Sequence, residues 1–240
     1  MIYRRQIATA AHASGSKGKA AQDKEVRMLR LPRITVEVPV LGVGDRPADY
    51  EQLAAYADGL RKPEGLHMTL LHIGILDDFA ADVVAWTKGA TDPAAAAVKT
   101  ADWLRALPVL EGFTGTAERL VLFGGGRVSG LDVEVPQHVR DFQVSLVAAL
   151  RELLDDLLVD NPDDFILSSP ALGYRYPRWH PHVAIGKPKS RDHSGEGRSG
   201  EGRSRERSGS WEIRPLKVEF GPSQIRNRQL LPGPGDGGHQ

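Results

Sequence analysis

Leu66-His-Met-Thr-Leu-Leu-His-Ile-Gly74 and His180-Pro-His-Val-Ala-Ile-Gly-Lys187 are the two stretches whose reading decides the fold. Both carry apolar residues at alternate positions, and in a β-strand alternate side chains share a face. His67 and Thr69 therefore point one way while Leu66, Met68 and Leu70 point into a core. His182, Ala184 and Gly186 share one face of the second strand, and Val183 and Ile185 occupy the other. Each strand thus offers a histidine on its less packed side, the two lying far apart in the chain.

Working outward, Ile34-Thr-Val-Glu-Val-Pro-Val40 is rich in β-branched residues and alternates in polarity, which predicts another strand. Tyr50, Leu53, Ala54, Ala57 and Leu60 recur at helical spacing behind Pro47, predicting a helix that Lys62-Pro-Glu-Gly65 breaks. Asp77 to about Leu107 reads as two helical pieces, with Asp92-Pro93 as N-cap and first residue of the second. Arg119–Phe123 and Val128–Val135 read as strands joined by a hairpin at Gly124-Gly-Gly126, which lacks the Lys-Ser/Thr ending of a phosphate loop. A long helix is expected from Gln137 to Asp160, with Val139, Phe142, Leu146, Ala149, Leu150, Leu153 and Leu157 as its buried stripe. A loop rich in Pro and aromatics, Ser169–Trp179, precedes the second histidine strand, and Leu216–Phe220 is strand-like. Strands and helices mixed in this order predict an α+β fold with sheets packed beneath helices.

The organisation expected is a basic flexible arm over 1–30, a domain over 31–229 and a Gly/Pro tail over 230–240. Within the domain, 190–210 holds a tandem SGEGR and is too polar to pack, so it reads as a disordered insertion. Composition narrows the function. Lys+Arg 31 against Asp+Glu 31 leaves a formal net charge of zero, which argues against gripping long duplex DNA by phosphate neutralisation. With no cysteine, thiolate metal sites, disulfides and cysteine nucleophiles are excluded. No run reaches the roughly 18 to 20 apolar residues of a membrane span, and the first residues lack the apolar core of a secretory signal. A cytoplasmic monomer is expected.

Two histidines brought together from separate strands suit phosphodiester transfer without a metal. A neutral imidazole takes a proton from water or a hydroxyl, and a protonated one gives a proton to the leaving oxygen. Hydroxyls two residues along can hydrogen-bond the phosphate oxygens on which charge develops. His180 and His182 share a parity and form a conceivable metal pair, but no third ligand lies near in sequence, so no metal and no cofactor are expected. His72, on the face opposite His67, reads as a core residue with one hydrogen bond.

Pro63-Glu-Gly-Leu-His67-Met-Thr69-Leu-Leu-His-Ile-Gly74 and Pro181-His182-Val-Ala184-Ile-Gly-Lys187 resemble the two motifs of the 2H phosphoesterase superfamily, which contains the LigT-like 2′-5′ RNA ligases and 2′,3′-cyclic phosphodiesterases. The resemblance runs from about Ile34 to Asn227 apart from the insertion. It implies a bilobal fold, each of two pseudo-symmetric lobes lending one histidine strand to a central cleft with helices outside. It makes His67 and His182 the acid–base pair and Thr69 a phosphate ligand, with acid and base set by substrate polarity. Candidate substrates are a 2′,3′-cyclic phosphate, a 2′-5′ linkage, an RNA end or a small cyclic (oligo)nucleotide, the last as in phage members that destroy defence signals. Tyr174, Tyr176 and Trp179 are candidates to stack a base, and Lys187 to meet phosphate. The second motif departs from the pattern at Ala184, where a hydroxyl is expected; such a donor is commonly worth about 2.7 to 4 kcal/mol. That departure keeps a second reading open, a nucleotide- or RNA-binding module with a weakened site.

Overall fold

The computed structural model describes residues 33–172, 179–189 and 210–226. The arm, the tail, Tyr174, Tyr176 and residues 190–209 of the expected insertion lie outside the described residues. Five α-helices and eight strands are present among those described, and the fold is α+β.

The strands are β1 (Ile34–Val43), β2 (Ala57–Asp58), β3 (His67–Gly74), β4 (Phe113–Phe123), β5 (Val128–Glu134), β6 (His182–Pro188), β7 (Ser210–Phe220) and β8 (Gln224–Arg226). They run antiparallel in the order β2-β6-β3-β1-β7-β4-β5; β5 also pairs β6, so the pairing closes on itself, and β8 adds to β1. Alternation explains the core: Ile34, Val36, Val38 and Val40 of β1, Met68 and Leu70 of β3, and Val183 and Ile185 of β6 are all buried. Helices α1 (Pro47–Glu51), α2 (Leu76–Trp86), α3 (Pro93–Ala106), α4 (Gln137–Asp156) and α5 (Pro162–Ser168) supply the remaining layer. Asp92 caps α3 as its sequence predicts, accepting from the Ala95 N–H at 2.8 Å.

Four expectations need correction. The helix behind Pro47 ends at Glu51, continues as a 3₁₀ turn over Gln52–Ala55 and gives way to β2. Ala57 and Asp58 pair with Pro188 and Lys187, and this strand pairing, with Ala57 buried in it, outweighs the helical spacing of Ala57 and Leu60. The long helix stops at Asp156 because Leu158 and Asn161 adopt left-handed backbone (φ 64° and 58°), and Asn161-Pro162 then starts α5. β4 begins at Phe113, six residues early: its inward positions there, Phe113, Gly115 and Ala117, include two small residues that weaken the apolar signal. A Cβ on Gly115 would lie 2.7 Å from Val133 Cγ1 and 2.8 Å from the Glu134 carbonyl oxygen, so crowding accounts for the small residue. β7 starts at Ser210, inside the expected insertion.

Candidate active site

The two histidine strands are neighbours. β3 and β6 are antiparallel with Met68 opposite Val183, both fully buried. One residue further in each direction, that register sets Thr69 opposite His182 and His67 opposite Ala184, all on the face turned from the core. Diagonal neighbours of this kind stand about 7 to 8 Å apart, a gap a phosphate group can occupy. The Met68–Val183 pair is thus a local two-fold point, with one histidine just ahead of each member. β1 flanks β3 and β5 flanks β6, with Glu37 opposite Thr69 and Asp132 opposite His182.

Each imidazole is held by the backbone leading into its own strand. His182 Nδ1 lies 2.8 Å from the His180 carbonyl, and His67 Nδ1 lies 3.2 Å from the Gly65 carbonyl. A carbonyl only accepts, so the His180 bond puts the proton of His182 on Nδ1 and leaves its Nε2 to exchange protons, and the Gly65 bond asks the same of His67. Beyond that shared anchor the two surroundings differ. His182 stacks on Phe123, ring centroids 4.0 Å apart and planes 24° from parallel. His67 instead has charged company. Its Nε2 is 3.5 Å from Glu37 Oε2, and Arg226 Nη1 is 3.2 Å from its Nδ1. The guanidinium only donates, so it competes with the Gly65 carbonyl for that nitrogen.

Glu37 is 2% exposed and is not an isolated buried charge. It accepts from Thr35 Oγ1 at 3.2 Å and from Gln224 Nε2 at 3.5 Å, and it lies 3.6 Å from Arg226 Nη1. In the imidazolium form of His67 both ring N–H groups have acceptors in place, Gly65 and Glu37. On the other side, Asp132 accepts from Arg119 Nη2 at 2.6 Å and faces His180 Nε2 at 3.0 Å. Among the described residues there is no group of three or more His, Asp or Glu that could hold a metal ion.

Of the residues singled out in the sequence, His67, Thr69, His182 and Trp179 come together. Trp179 is tied to β3 by its indole N–H, which donates to the Thr69 carbonyl at 2.9 Å. Thr69, Trp179, His180 and His182 line one cavity of about 310 Å³. Lys187 is exposed near the end of β6 opposite Asp58 and is not part of that lining. His72 is buried and lines the same cavity. Sequence reasoning missed Glu37, Phe123 and Arg226. Only the polar interruption of an otherwise β-branched run at Glu37 gave a local signal; Phe123 and Arg226 reach the histidines through pairings over long stretches of chain.

Gly74, which ends β3, has φ 83°, and a Cβ there would lie 2.4 Å from the Ala171 carbonyl oxygen. This close approach seats the Ser169–Leu172 segment, which Asp82 holds by accepting from Ser169 Oγ at 2.6 Å and the Ala171 N–H at 3.3 Å. Leu172 then forms part of the cavity wall.

No protein-family model and no curated protein matches this chain. Among solved structures it is similar to TT0787 of Thermus thermophilus, at 15% identity over 81% of this chain and 95% of that one, with a TM-score of 0.37. It is similar to a structure described as a phosphoesterase, at 15% identity over 81% and 96%, TM-score 0.36. A third is E. coli LigT in apo form, at 14% identity over 77% and 95%, TM-score 0.33.

Proposed function

We propose that the chain is a phosphodiesterase in which His67 and His182 act as an acid–base pair on a phosphate bound between them, without a metal. The observation that supports this best is the register around Met68 and Val183, which sets two carbonyl-anchored histidines diagonally on one sheet face with Thr69 beside them. On a 2′,3′-cyclic phosphate, one imidazole accepts a proton from water as its oxygen bonds to phosphorus. The other donates a proton to the ribose oxygen as its bond to phosphorus breaks. The product is a phosphate monoester, and solvent exchange restores both rings. The Thr69 hydroxyl donates to a phosphate oxygen as charge builds there.

Ala184 leaves the equivalent place opposite His67 without a hydroxyl, and Arg226 is the cation that the fold brings to that histidine. We assign Arg226 the part of phosphate-facing charge on this side, with Glu37 as the positioning residue that holds both Arg226 and His67. Substrates in view are 2′,3′-cyclic nucleotides, 2′-5′ linked dinucleotides, RNA ends and small cyclic oligonucleotides.

The test is cleavage in EDTA by wild type, His67→Ala and His182→Ala, with a 2′,3′-cyclic mononucleotide, a 2′-5′ dinucleotide and cyclic dinucleotides. Turnover that resists EDTA and is lost in both variants supports the proposal, and the preferred substrate identifies the class. Turnover indifferent to both histidines overturns it. Binding without turnover, retained in both variants, favours the second reading of a nucleotide-binding module, which the missing hydroxyl at Ala184 keeps in play.

A further inference from the structure

The cavity beside the histidine pair reaches well past the atoms that phosphate chemistry needs. Thr69 and His182 line it, and so do Phe123, Trp179 and Leu172, giving aromatic and aliphatic walls. Its volume of about 310 Å³ is at the lower end of the range for small-molecule sites. The walls are fixed in advance: Trp179 is bonded to the Thr69 carbonyl, Phe123 is stacked on His182, and Leu172 follows the segment seated by Gly74 and Asp82.

One polar side chain in this lining has no structural task. Gln143 comes from the buried stripe of α4, among Val139, Leu146, Val147 and Leu150. It is 9% exposed, and its amide makes no hydrogen bond with any described residue. An amide that opens into a cavity keeps its donor and acceptor for whatever enters, where an aliphatic residue would offer neither. What satisfies it is a ligand bearing a donor and an acceptor side by side on the rim of a flat apolar body. A nucleobase has that form, with faces that pack on aromatic and aliphatic walls.

We propose that this cavity is a nucleobase subsite, in which the Gln143 amide reads the edge of the base attached to the phosphate held at His182 and Thr69. The inference rests on the phosphodiesterase reading, since those two residues tie the base to the scissile bond. The amino bases adenine and cytosine are the expected first choices, because an exocyclic amino group beside a ring nitrogen matches an amide oxygen and amide N–H together.

The experiment compares kcat/KM for the four 2′,3′-cyclic mononucleotides on wild type, Gln143→Leu and Gln143→Glu. The leucine variant removes the amide without adding bulk or an unpaired polar atom. Wild type is expected to prefer an amino base, adenine or cytosine, by about ten- to hundredfold, and the leucine variant to level the series to within about threefold. The glutamate, which only accepts, should reorder the series rather than level it. A second measurement needs no turnover: calorimetric binding of the four nucleoside 2′-monophosphates to wild type and the leucine variant. Base-selective binding lost on Gln143→Leu supports the subsite even if no substrate is cleaved, in which case the phosphodiesterase reading alone falls. Equal treatment of all bases by wild type, or selectivity unchanged by the leucine, overturns the subsite whether or not cleavage occurs. Failure of all four to bind and to react overturns both.

Discussion

Replacing Ala184 with threonine should raise turnover, and the structure sets bounds on the gain. The register around Met68 and Val183 places residue 184 opposite His67 as Thr69 stands opposite His182. A threonine there would add a hydroxyl on the same face, related to Thr69 by the local two-fold of the pair. One preorganised donor of this type is worth about 2.7 to 4 kcal/mol, or a factor of roughly 10² to 10³ in kcat. The whole of that is not expected. Position 184 is only half-buried, so water can serve in place of the hydroxyl, and Arg226 already brings charge to this side. A gain of about ten- to hundredfold remains, carried by kcat rather than KM because the hydrogen bond strengthens as charge develops. Threonine suits a strand, so the melting temperature should stay within about 4 °C of wild type. The control is Ala184→Val, which adds the same bulk and branching without the hydroxyl. Steady-state kinetics of the three proteins on the preferred substrate, with melting curves alongside, decide the matter. Equal turnover by the threonine and valine variants, with all three folded, would refute the placement of residue 184 against the phosphate.

Glu37→Gln keeps the shape of the side chain and removes the charge that holds Arg226 and His67. It should lower kcat about tenfold with KM within about twofold, and Glu37→Asp should recover part of the loss; unchanged kcat would deny Glu37 any positioning role. Phe123→Leu removes a ring stacked on His182, an interaction of about 0.5 to 1.5 kcal/mol. A kcat loss of about three- to tenfold is expected from the freer imidazole, with broadened ring signals of His182 in NMR, and sharp wild-type signals would contradict this. Gly74→Ala must displace the Ala171 carbonyl and adopt φ 83°, a strain of about 1 to 3 kcal/mol. A fall of about 2 to 12 °C in melting temperature should follow, and an unshifted midpoint would show that the approach to Ala171 is looser than the geometry implies.

Periodicity made most of the fold legible, and the exceptions share a cause. β1, β3 and β6 announce themselves because one face is buried and the other is not, so alternation survives in Ile34–Val40, Leu66–Leu70 and His182–Ile185. Such patterning records burial without naming what does the burying. The segment behind Pro47 has helical spacing, yet β6 takes Ala57 and Asp58 into its own edge, and nothing local encodes that partner. β4 is the converse: Gly115 is small because Val133, Glu134 and Phe220 crowd it, and with Ala117 also small an inward-facing strand half looks weak on a hydropathy reading. The start of α5 was readable, since Asn161-Pro162 has the cap-and-first-residue form that located α3 at Asp92-Pro93. The apolar run through Leu157 and Val159 hid it.

The candidate site divides along the same line. His67, Thr69 and His182 are visible because polar residues on the open face of an apolar strand have no role in the core. Glu37 and Gln143 are polar residues of another kind: Glu37 has the outward parity of Thr35 and is nonetheless buried, and Gln143 lies in the buried stripe of α4. Burial alone cannot separate a structural use from a functional one. The partners can. Glu37 is served by Thr35, Gln224 and Arg226 and turned toward His67, so its charge is satisfied within the fold and acts there as a fixed neighbour of the imidazole. Gln143 hydrogen-bonds none of the described residues and lines a cavity, so its hydrogen-bonding capacity is left for something that enters. His67 and His182, alike in motif and backbone anchor, consequently sit at the ends of an asymmetric site, one beside fixed charge and the other beside an aromatic wall and an open cavity. A substrate with a charged group at one end and a flat base at the other can lie across that pair productively in one direction only. The orientation would then decide which histidine gives its proton and which takes one.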